Sequence, residues 1–142
     1  MKYQSIGITV LRIIVGIVFA AHGWQKLGNG VEGTAGFFGS LGVPLPAVAA
    51  VVVIALELLG GIALILGLGT RYVAPLLAFT MLVAMLLVHL PNGFFAQQGG
   101  VEFVLTLFGA SVALALTGSG AYALDDLVFR RGRAQEPAAV RG

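Results

Sequence analysis

The chain has 142 residues, of which 58% are hydrophobic and 10% charged, with a mean hydropathy of +1.00. A soluble domain carries about 25% charged residues, so the composition excludes both an ordinary soluble enzyme and a disordered chain. The lack of any cysteine excludes a disulfide, a thiolate metal site or a dithiol relay within the chain, and a net charge of +2 gathered near the C-terminus makes no case for nucleic acid.

In chain order, the first apolar stretch, about 5–27, is long enough to cross a hydrocarbon core about 30 Å thick. A cleavable signal peptide is the competing reading. The run is too long for an h-region, is interrupted by Arg12, and lacks a small-x-small cleavage site before a polar start. A Gly-rich loop follows, and its segment from Thr34 to Leu41 predicts a short interfacial helix with Phe37 and Phe38 at headgroup level. Pro44 and Pro46 open a second span, 44–66, and Gly67-Leu-Gly-Thr-Arg71 makes a tight turn. The third span, 71–90, carries Pro75 in its first turns and ends at Pro91-Asn-Gly93. A second short interfacial segment, 94–100, leads to the fourth span, 101–117, which Gly118-Ser-Gly120 stops. Gly36-Phe-Phe and Gly93-Phe-Phe hint at a duplicated helical hairpin. The fold class expected is therefore all-α: a polytopic four-transmembrane-helix bundle in one domain, 1–129, followed by a basic polar tail, 130–142.

Four spans put both termini on one side of the bilayer. That side holds Lys2, Arg71, Arg130, Arg131, Arg133 and Arg141, against Lys26 on the other. The positive-inside rule then places both termini in the cytoplasm.

Six ionisable residues lie within the spans: Arg12, His22, Lys26, Glu57, His89 and Glu102. Each would cost roughly 2.5–3.5 kcal/mol to insert, so each needs a partner or a polar cavity. Counting helical rise from the cytoplasmic ends places Arg12 about 10 Å deep and Glu57 about 14 Å deep, so the two are expected to form an intramembrane ion pair. Such a pair serves either as a clamp on helix register or as a proton- or ligand-handling group. The other four fall within about two turns of the outer interface and form a candidate ligand pocket of His22, Lys26, His89 and Glu102. On helical registers, His89 continues a stripe through Ala78, Leu82 and Met85, and Glu102 heads one through Thr106, Gly109 and Ala113. Taken singly, Lys26 can snorkel and Glu102 can charge a helix start. Two histidines near the surface, without a ligation spacing, argue against haem or a metal centre. No phosphate-cradling loop, dinucleotide fingerprint or nucleophile triad is present.

Assembled in order, these motifs resemble the DoxX family of small four-helix bacterial membrane proteins. The resemblance is carried by Leu11-Arg-x-x-x-Gly16, His22-Gly-x-x-Lys26-Leu, the run Phe37 to Gly42-Val-Pro44, Glu57-Leu-x-Gly-Gly61 and Gly67-Leu-x-Thr-Arg71. It continues through His89, Gly93-Phe-Phe, Gly100-Val-Glu102 and Gly118-x-Gly120-x-Tyr-x-Leu-Asp125. The family's link to membrane redox and thiol-stress complexes implies a quinone-linked component of an oxidoreductase system. No covalently bound cofactor is implied, and quinone is the candidate ligand. Without cysteine, electrons would have to pass by outer-sphere transfer or through a partner's cofactor. Met85, Phe19 and Leu82 are candidates for the apolar sleeve around a quinone. Two alternatives stay open: a non-enzymatic accessory subunit packed through its Gly-rich faces, as homo-oligomer or beside another membrane protein, and a small-molecule or lipid carrier.

Overall fold

A computed structural model describes residues 2–128, and the basic tail expected over 130–142 lies outside them. The helices are α1 (Lys2–Gly28), α2 (Val31–Ser40), α3 (Pro46–Leu66), α4 (Thr70–Ala84) and α5 (Glu102–Thr117). A π-helical segment, Met85–His89, and a 3-10 turn, Leu90–Asn92, extend α4; a second 3-10 turn covers Ala96–Gln98. The described residues contain no strand. Three helical stretches are long and apolar enough to cross a membrane: α1, α3, and α4 with its extension. The fourth, α5, is also apolar but has 16 residues, about 24 Å at the helical rise.

Local chemistry sets the ends. Pro46 occupies the first turn of α3, where its missing N–H is not needed. The helix starts there and not at Pro44 because Leu45 takes a left-handed conformation, φ 49°. Gly67, φ 75°, caps α3, and its neighbour's N–H closes back on Ala63. Pro91 offers no N–H to the carbonyl one turn earlier, and it is here that α4 loosens into wider and then tighter turns.

The bundle is apolar on its outside as well as its inside. Val10, Ile14, Ile17, Leu59 and Leu116 are exposed, whereas Phe19, Leu64, Leu77 and Leu114 form the buried core with Val15 and Val104. That distribution suits lipid as solvent. α1 packs along α3 and α4 along α5. Glycine allows the first contact to be close. A Cβ on Gly16 would lie 2.7 Å from the Gly61 carbonyl oxygen, and one on Gly23 would lie 2.5 Å from the Leu58 backbone nitrogen. α3 and α4 meet near Gly60, where an added Cβ would reach Val73 at 3.2 Å and Leu77 at 3.6 Å. Towards α2 their facing sides line a shared cavity in place of packing on each other, so the two helices form a wedge.

Candidate functional site

The close α1–α3 contact fixes which charges meet. Gly16 faces Gly61 and Ile65, and Gly23 faces Leu58, so Glu57 stands opposite the end of α1 that carries Lys26. The Lys26 ammonium donates to Glu57 Oε2 at 2.7 Å; Glu57 is 3% exposed and Lys26 31%. The expected Arg12–Glu57 ion pair is therefore not formed. Its depth estimate took the two helices as flush at one end, whereas α1 runs past α3 and sets Arg12 beside Gly67.

Arg12 is 1% exposed and closes the narrow end of the bundle. Its Nη1 donates to the Ser119 carbonyl and its Nη2 to that of Tyr122 at 3.3 Å, and Asp125 and Asp126 supply nearby opposite charge. Thr9 donates to Ala121 O at 2.6 Å, and Asp125 accepts from Gly69 N–H at 2.9 and 3.0 Å and from Ser119 at 2.9 Å. Tyr122 sits at φ 55°, a conformation costly for a non-glycine residue, which these contacts hold in place. An open cleft of about 750 Å³ beside them is lined by Gln4, Arg71 and Asp126 among others. The hydrogen bonds tie the turns that follow α5 across that end of the bundle.

The opposite, wide end holds a cavity of about 540 Å³, within the range of small-molecule sites. Its back wall is Phe19, His22 and Lys26 from α1 with Phe103, Val104 and Leu107 from α5. Val53, Leu56 and Glu57 flank it from α3, Met81, Ala84 and His89 from α4 and its extension, and Phe37 and Phe38 cover it from α2. Three of the four expected pocket residues thus line one cavity, joined by Glu57. The His22 ring stands 5.5 Å from that of Phe103 at 58°. His89 Nδ1 donates to the Gly99 carbonyl at 2.7 Å, because a carbonyl only accepts, and this leaves Nε2 available to a ligand.

Glu102 is the exception. Its carboxylate accepts from Ala96 N–H at 2.9 Å while its backbone N–H donates to Phe94 O at 2.8 Å, so it staples the 94–102 loop and does not line the cavity. Met85 and Leu82 are likewise absent from the walls, with Met81 present instead. An uninterrupted α-helix would put His89 on the Leu82–Met85 side. The π turn from Met85 to His89 changes that rotation, so His89 lines the cavity and Met85 packs against the core. Sequence reasoning allowed Glu57 a ligand-handling role but paired it with Arg12 and left it out of the outer pocket, and it missed the α2 aromatics as cavity residues. The signal for Glu57 was available: the smallest residues mark where helices approach closest, and setting Gly16 and Gly23 against Gly61 and Leu58 pairs Glu57 with Lys26. Those glycines serve contacts within the chain, not an outer face.

No residues among those described gather as a metal site. An apolar helical bundle with a charged pair, two imidazoles and a lipid-exposed exterior defines a membrane protein with an internal amphipathic cavity. By sequence the chain belongs to the DoxX family, whose profile matches residues 7–90. That range takes in Arg12, His22, Lys26, Glu57 and His89, and stops before Glu102. The chain is 46% identical over 129 residues to "Putative oxidoreductase CatD" of Bacillus subtilis, covering 91% of this chain and 92% of that protein. It is 37% identical over 136 residues to "Inner membrane protein YqjF" of Escherichia coli, covering 92% and 98%, and 31% identical over 121 residues to "Inner membrane protein YphA" of the same organism, covering 82% and 86%. No solved structure matches it.

Proposed function

We propose that this DoxX protein is a quinone-binding component of an inner-membrane oxidoreductase system, with both termini in the cytoplasm and the quinone ring in the wide-end cavity. The observation that carries the reading is the Lys26–Glu57 pair, 2.7 Å apart, on the wall of a largely apolar cavity. Desolvating two charges is costly, and a clamp between helices could be made from apolar side chains. A charged pair kept beside two imidazoles suits a ligand whose polar groups need donors and whose ring needs an apolar sleeve.

In this reading the Lys26 ammonium and a His22 ring N–H donate to the two ring oxygens, and Phe19, Leu56 and Met81 enclose the ring. His89 Nε2, whose partner nitrogen donates to Gly99, accepts from the quinol hydroxyl. Reduction of a quinone to a quinol takes two electrons and two protons. The imidazoles and Lys26 are the groups placed to pass the protons, with Glu57 holding the ammonium in position. The electrons come from a separate donor, since the sequence has no thiol to supply them. The oxidoreductase and inner-membrane names of the relatives support the reaction class and the location.

The test is a quinone titration of the purified protein and its His22→Ala and His89→Ala variants. Loss of the His22 donor should weaken quinone binding about tenfold, the effect of one net hydrogen bond, and loss of the His89 acceptor should weaken quinol, titrated in the same way, to a similar extent. Equal binding by all three folded proteins would assign both histidines to structure and favour an accessory subunit.

A further inference from the structure

The cavity has one side that protein does not close. α1 and α5 form its back, α2 covers the end nearest the loops, and α3 and α4 touch at Gly60 and then part. On the parting faces, Val52 and Leu56 of α3 look across at Leu76, Phe79 and Val83 of α4 and at Leu87 of its extension. These positions line the cavity and yet include some of the more exposed side chains of the bundle, with Val52 56% and Phe79 65% exposed. A residue can be both only where the cavity opens outward. The opening is flanked by exposed Val48, Val51 and Leu86, which face lipid in a membrane bundle. The polar side chain on this edge, Thr80, spends its hydroxyl on the Leu76 carbonyl at 3.0 Å, so the seam offers a ligand no unsatisfied polar group.

We propose that the α3–α4 seam is a lateral portal through which a single-tailed, lipid-soluble ligand enters from the bilayer, its head stopping at Lys26 and its hydrocarbon tail lying in the seam. The inference rests on the quinone reading for the identity of the head. Size supports a tail that leaves the protein. A cavity of about 540 Å³ takes a drug-sized molecule, and a long prenyl chain cannot be housed inside it. Its exit between Val52 and Phe79 keeps the chain in an apolar medium throughout.

The lack of native cysteine makes the test specific. The V52C/F79C protein in nanodiscs is closed with a bifunctional thiol reagent, and binding is compared before and after for a decyl-tailed quinone and for the same ring without a tail. Because each probe is compared with itself, partition into lipid cancels. Closing the seam should weaken the tailed probe at least about tenfold, as several buried methylenes are lost, and leave the tail-less ring within about twofold. Equal effects on the two probes, whether none or complete, would overturn the portal. If the open protein binds neither probe, the quinone reading falls, and this inference with it.

Discussion

Because Glu57 is 3% exposed and Lys26 31%, removing one partner of the pair is not equivalent to removing the other. Lys26→Ala strands a buried carboxylate and should cost about 3 kcal/mol, the lower end of what breaking a buried pair costs. Glu57→Gln leaves an ammonium that can reach the interface and should cost about 1 kcal/mol or less. The double variant Lys26→Met/Glu57→Leu should regain most of the loss, since no charge is left unpaired. Thermal melts in detergent check the order, and a Glu57→Gln protein less stable than Lys26→Ala would contradict it. Which residues were ionisable and intramembrane was legible in the sequence, because charges stand out in apolar runs. Which of them paired was not: depth along one helix says nothing about how far that helix slides past its neighbour. His89 was found for the same reason, but the side it faces depends on the π turn, which hydrophobic periodicity does not reveal.

At the scale of elements, the α1–α3 contact is what delivers Lys26 to Glu57. Gly23→Ala places a methyl 2.5 Å from the Leu58 nitrogen, against backbone that cannot turn aside. It should destabilise by at least about 1–3 kcal/mol as an overpacked contact and part the ion pair one turn away. Gly109→Ala on α5 meets nothing within 4 Å and should be neutral or stabilising by up to about 1 kcal/mol, the helix preference for alanine. Melts of the two variants side by side check this, and equal behaviour would mean that the glycine contact does not set the register. At the narrow end, Arg12→Ala removes two charge-assisted bonds to the 119–122 carbonyls. Amide exchange at Ala121 and Asp125 should rise at least about tenfold while the middle of α3 stays protected. Unchanged protection would show that Thr9 and Asp125 hold the closing turns without Arg12. The helices themselves were legible to within about three residues at their ends, since long apolar runs between Gly and Pro signals leave little choice. The packing order of the helices was not, because lipid-facing and buried residues are equally apolar and no amphipathic stripe distinguishes them.

For the molecule as a whole, the arginine asymmetry, together with the four crossings expected from the sequence, predicts a cytoplasmic C-terminus. A C-terminal fluorescent protein should be bright in cells and an alkaline phosphatase fusion at the same site inactive; the reverse pattern would mean an odd number of crossings or an inverted bundle. What the whole fold achieves is a wedge: closed at one end by Arg12 and the turns after α5, and parted at the other beneath α2, with the charged pair and imidazoles on its inner wall. The claim that this wedge holds a quinone is tested most directly by what the protein carries out of the membrane. Protein extracted gently with native lipid is analysed for bound quinone beside an Ala84→Trp variant, in which an indole fills part of the cavity from the α4 wall. The account predicts near-stoichiometric quinone on the native chain and at least about tenfold less on a folded Ala84→Trp protein. Quinone at the same low level in both, tracking total lipid, would contradict it.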